Sequence, residues 1–192
     1  MSLGAIHVHA TGVPRGIAQQ SLALGLRDIM RASGHAGIQA LLDRDDIVLR
    51  VFVQPWRVRH ADDGIHFVAG RSRGVEPRIR RYAARGGKLT LPVHLFLHAF
   101  DGSDEWVVDT IIHELRHVVD FVAWADLARR NNGKRHTEDD DAFREWLRML
   151  AYLRSAAPER NANAAAARAT MRLTASELRR LADPFNAILS RR

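Results

Sequence analysis

The sequence contains no cysteine. Disulfides and thiolate zinc sites are therefore excluded, and any metal must be held by His, Asp or Glu. Tyrosine is nearly as scarce, with only Tyr82 and Tyr152. No uncharged apolar run approaches the roughly 18 residues needed to span a bilayer. Residues 1–10 have neither the basic start nor the long apolar stretch of a secretory leader. These absences predict a soluble, cytoplasmic chain with no membrane partner. Acidic residues are also in deficit: 22 Asp and Glu face 29 Lys and Arg, for a net charge of +7.

That imbalance permits attraction to nucleic acid or to an acidic protein. It concentrates in residues 71–88, where Arg71, Arg73, Arg78, Arg80, Arg81, Arg85 and Lys88 meet a single acid, Glu76. The stretch holds one aromatic, Tyr82. Platforms for single-stranded nucleic acid interleave more rings than that, so its first reading is a solvated face.

What is present is ordinary globular material, with 46% hydrophobic and 27% charged residues over 192 positions. Residues 5–10 alternate and predict a short strand. Residues 15–32 have helical spacing that ends at Gly34, and a short helix follows near 36–43. The β-branched run 46–53 predicts a strand, as do 56–60 and 65–69. Residues 88–100 predict another, which Pro92 restricts to an edge or a bulge.

From 104 to about 129 runs the strongest helix signal, apolar around most of its circumference, with Ser103 as a plausible cap. A further helix is predicted over 138–155. Residues 156–169 are Ala-rich and read as a linker or a weakly held helix. Thr174 and Glu177 form a capping box for a last helix to about 182, broken by Asp183-Pro184. The expectation is an α+β fold, a small mixed sheet with helices packed on it. One domain spans 1–155, and 156–192 is an appendage on the same body.

Within the long helix lies His113-Glu114-Leu115-Arg116-His117, an H-E-x-x-H pattern. Residues four apart stack on one helix face, with Cβ atoms about 6 Å apart. Two imidazoles placed so can each offer a nitrogen to one Zn²⁺ at about 2.0–2.1 Å. Glu114, one step round, can take a proton from a water activated at the open coordination position. Burying these polar groups in an apolar helix is costly unless they are paired or bound to metal. The alternative is a set of satisfied buried polar residues, such as an internal Glu–Arg pair.

The stretch His113–Asp120 resembles the signature of zincin metallopeptidases, a likeness limited to about residues 104–150. The resemblance implies a central buried motif helix and a peptidase in which Zn²⁺ is held by His113 and His117. It makes Glu114 the general base that also protonates the leaving amine. It also implies an edge strand across the cleft, for which 88–98 is the candidate. The metzincin branch is disfavoured, because Asp120 and Ala123 stand where its Gly and third ligand would be. The gluzincin branch takes a carboxylate from a downstream helix, which points to Glu138 or Asp139. Asp139 stands three before Ala142, where families with an E-x-x-A pattern keep their ligand, although Asp is shorter and would require closer helices; Asp141 is a weaker choice. His136 is a further candidate for the site. Asp120 shares the histidines' face but lies about 10 Å along the axis from His113, so its expected role is to orient a ligating ring. The competing class is a zincin-like nucleic-acid or protein-binding module without peptidase activity.

Overall fold

The computed structural model describes residues 6–10, 17–54, 75–96, 103–132 and 141–189. Three strands form one sheet: β1 (Ile6–Ala10), β2 (Ile47–Gln54) and β3 (Leu89–Phe96). The order is β1-β2-β3, and both pairings are parallel. The expected mixed sheet is thus corrected to a parallel one among the described residues. Parallel neighbours need crossovers long enough to carry helices. Helices α1 (Ile17–Ala32) and α2 (Ala36–Ala40) lie between β1 and β2, and α3 (Glu76–Arg85) lies between β2 and β3.

Strand alternation explains which face is covered. Val8, Leu49, Val51, Val53, Leu91, Val93 and Leu95 are buried, while His7, His9 and Arg50 point the other way and are exposed. On that second face His9, Phe52 and His94 stack ring on ring across the three strands, at 5.4 and 4.7 Å. Pro92 sits opposite Arg50 on β3, an edge strand, where a missing N–H is tolerated. The strands expected at 56–60 and 65–69 lie outside the described residues.

The second half is helical: α4 (Asp104–Asn131), α5 (Asp141–Arg154), α6 (Ala157–Thr170) and α7 (Ala175–Leu189). Ser103 caps α4, its hydroxyl accepting from the Trp106 N–H at 3.2 Å. Helix α4 is buried almost all round and contacts β3 and each of the other six helices. It is the axle of the fold, as its apolar circumference predicts. Among the described residues no helix is long and apolar enough to cross a membrane.

In the C-terminal part, the helix is the one of the two readings of the Ala-rich segment that is found, and the break expected at Asp183-Pro184 is corrected. The Ala-rich segment is a firm helix, α6, which packs along α4 through buried Ala162, Ala165, Ala166 and Ala169. Small side chains at i, i+3, i+4 and i+7 let two helix backbones approach closely, so alanine is here a packing surface. Helix α7 also runs past Asp183-Pro184 to Leu189. Its capping box forms as expected: Glu177 accepts from the Thr174 N–H at 2.8 Å, and Thr174 Oγ1 accepts from the Glu177 N–H at 3.3 Å. An interior proline forfeits one backbone bond. Burial of Leu181, Ala182, Phe185 and Ile188 in the common core outweighs that loss. Gly25 of α1 permits the approach, since a Cβ there would stand 3.0 Å from Pro184 Cγ.

A polar cluster fastens the sheet to the far part of α4. Arg44 donates to both oxygens of Asp46 at 2.7 and 2.9 Å and to both of Asp126 at 2.8 Å. The Tyr82 hydroxyl donates to Asp46 at 2.6 Å and accepts from Arg129 at 3.1 Å. The Arg44 guanidinium, and next the Tyr82 hydroxyl, hold the Asp46 carboxyl far below the usual carboxylate range against the opposing effect of burial.

Candidate metal centre

His113 and His117 stand one turn apart on α4, as the spacing predicts. Their Nε2 atoms are 3.2 Å apart and their rings are inclined at 65°. The third group is Glu159, in the first turn of α6. Its Oε2 lies 3.4 Å from His113 Nε2, and its Oε1 lies 3.4 Å from His117 Nε2. These three side chains form a group able to hold a metal ion.

The distances can be set beside two uses of such a cluster. Charge-assisted hydrogen bonds between nitrogen and carboxylate oxygen run at about 2.7–2.9 Å. Ligands placed tetrahedrally around zinc at about 2.0–2.1 Å are separated from one another by roughly 3.3 Å. The observed 3.2 and 3.4 Å match the second spacing. The donor set, two imidazoles and a carboxylate, is one zinc accepts. His117 is also in the right protonation state to donate a lone pair. Burial, followed by the fields of His113 and Arg116, pulls its pKa down to about 4.

Glu114 is 1% exposed, and its Oε2 has no hydrogen-bond partner. Burial, and secondarily the charge of Glu159, push its carboxyl well above the ordinary range. A buried carboxylate oxygen without a partner is destabilising, so its position is not explained by folding. The alternative of an internal Glu–Arg pair does not hold, because Arg116 pairs with Asp120 at 2.5 Å instead.

Asp120 is placed differently from its expected role. One oxygen accepts from Arg116 and the other accepts from the Tyr152 hydroxyl at 3.0 Å. It therefore bridges α4 to α5 and does not orient a histidine ring. Tyr152 in turn accepts from Asn161 Nδ2 at 3.0 Å. Both tyrosine hydroxyls are thus engaged within the protein, Tyr82 in the distant Arg44 cluster and Tyr152 here.

Glu138, Asp139 and His136 lie outside the described residues. The carboxylate that reaches the histidines, Glu159, was not singled out from the sequence. A signal for it existed: Glu159-Arg160-Asn161-Ala162 spells E-x-x-A without substitution, whereas 139–142 begins with Asp. The alanine-rich composition that follows disguised it as a linker. Comparison with known proteins returned no matching family model, no matching curated protein and no matching solved structure.

Proposed function

We propose that the chain is a zinc-dependent peptidase of zincin type, with His113, His117 and Glu159 holding the ion and Glu114 as general base. One observation carries this reading: three donor atoms at tetrahedral ligand spacing stand one residue from a buried carboxylate with a free oxygen. Zinc at this site supplies a Lewis acid that polarises a peptide carbonyl and strengthens water as a nucleophile. Glu114 accepts the proton of the attacking water and returns it to the departing amine nitrogen, the two-way traffic expected of one carboxylate in amide hydrolysis. His113 and the half-exposed Glu159 form the open side from which a peptide approaches. A chain without cysteine suits a reducing cytoplasm, which we take as its setting.

Two measurements test the proposal together. Purified protein should contain zinc at one equivalent, and Glu114→Gln should keep the zinc while losing peptide hydrolysis. Zinc-free protein, or a fully active Glu114→Gln variant, would end it.

A second reading, a nucleic-acid or acidic-protein-binding module, is favoured by helix α3. Arg78, Arg81 and Arg85 follow one side of it, are exposed, and have no ion-pair partner among the described residues, whereas Arg80 is held by Glu76. Such a stripe would contact phosphates in a salt-dependent way. Neutralising Arg78, Arg81 and Arg85 should then abolish DNA binding. Binding indifferent to salt would count against the module.

A further inference from the structure

Glu159 is the least anchored member of the cluster. Its side chain is 57% exposed and its partners are the two histidines alone. Its reach therefore depends on how the first turn of α6 is set against α4. At the start of α6 the Ser155 hydroxyl accepts from the Ala157 N–H at 3.1 Å, a local bond that does not tie the turn to α4. The interface beyond is a row of alanines. Such a row permits close approach but has no large side chains to lock rotation or sliding.

A directional tie exists two residues from Glu159. Asn161 Nδ2 donates to the Tyr152 hydroxyl at 3.0 Å, and that hydroxyl donates to Asp120 Oδ2 at 3.0 Å. Asp120 is 5% exposed and fixed by Arg116 on its other oxygen. Asp120 also stands on the helix face that carries His113 and His117. The chain of bonds therefore leaves the histidine helix, passes through α5, and returns to α6 beside the carboxylate that must meet the histidines.

We propose that Tyr152 is a positioning residue of the metal centre: its hydroxyl joins Asp120 to Asn161 and so sets Glu159 within reach of His113 and His117. The inference rests on reading that cluster as a zinc site. Removing an outer partner of a metal ligand weakens metal affinity by about 10–100-fold. Tyr152→Phe keeps the ring and its packing and deletes only the hydroxyl.

The test is zinc affinity by competition with a chelator, together with the visible absorption of the cobalt-substituted protein. Tyr152→Phe should weaken zinc binding, by less than the factor of about 10–100 that loss of a direct partner of a ligand costs, and alter the cobalt spectrum. The exposed Asn161→Ala should do the same, and the double variant should be no worse than either single one, since both cut one link. Should Tyr152→Phe fail to fold, Asn161→Ala carries the test alone. Folded variants with wild-type affinity and spectrum, alongside a weakened Glu159→Gln, would overturn the positioning role and leave the metal centre standing. Wild-type protein that binds no zinc would overturn both.

Discussion

Two polar clusters sit on helix α4, about 13 Å apart along its axis, and they differ in how their groups are satisfied. Around Arg44, Asp46 and Asp126 each charge meets its opposite: both carboxylates accept two or more bonds, and Tyr82 both donates and accepts. Around His113, three potential lone-pair donors converge at spacings too long for strong hydrogen bonds, next to a carboxylate oxygen with no partner. Buried polar groups are almost always satisfied in native proteins. The first cluster follows that rule and joins elements of the fold. In the second, the Glu114 Oε2 atom has no partner among the described residues, a feature that supports the proposed reading of a functional site.

The comparison can be broken most sharply at Glu114. Glu114→Gln should lower peptide hydrolysis by about 10²–10⁴-fold, while the melting temperature changes little because the amide keeps the size and shape of the buried carboxyl. Next, His117→Ala should reduce zinc affinity by more than about 100-fold, beyond the loss from any outer partner, with little change in metal-free stability. Chelator competition and thermal melts on the same preparations would show both.

The Arg44 cluster should respond in the opposite sense. Arg44→Met should cost about 1–3 kcal/mol of stability through lost charge-assisted bonds and leave zinc affinity untouched. Denaturant titration beside metal titration separates the two effects. The smallest effect is a pH dependence. Asp46 titrates lower in the folded chain than in the unfolded one, where a carboxyl protonates near pH 3.9. Its contribution is therefore complete above that pH and lost as acid drives the folded pKa. Melting temperature should fall below about pH 4, and Asp46→Asn should flatten that fall. An unchanged acid limb would remove Asp46 from the account.

Legibility from sequence followed the range of the physics. Strand alternation in β1, the β-branched run of β2, the apolar circumference of α4, the Ser103 cap and the Thr174–Glu177 box depend on neighbours within a few residues, and each was readable. The pairing of His113 with His117 was readable for the same reason, since helical geometry alone brings positions four apart together. Glu159 was not, because it reaches the histidines only through the packing of α6 on α4. Its local sequence, a run of alanines after Pro158, carries almost no hydrophobic contrast to announce a packed helix. Pro184 misled in the same direction: local propensity predicted a break, and burial of Phe185 and Ile188 kept the helix intact.

The sequence by itself determined the donors available for a metal, the helix that carries two of them, and the carboxyl side chain beside them, because all three follow from composition and 3.6-residue periodicity. Tertiary structure decided that Glu159 stands beside the two histidines and that Asp120 ties helices together. It also decided that the sheet is parallel. Those outcomes depend on which distant surfaces pack, a balance of burial and chain connectivity that no local stretch encodes.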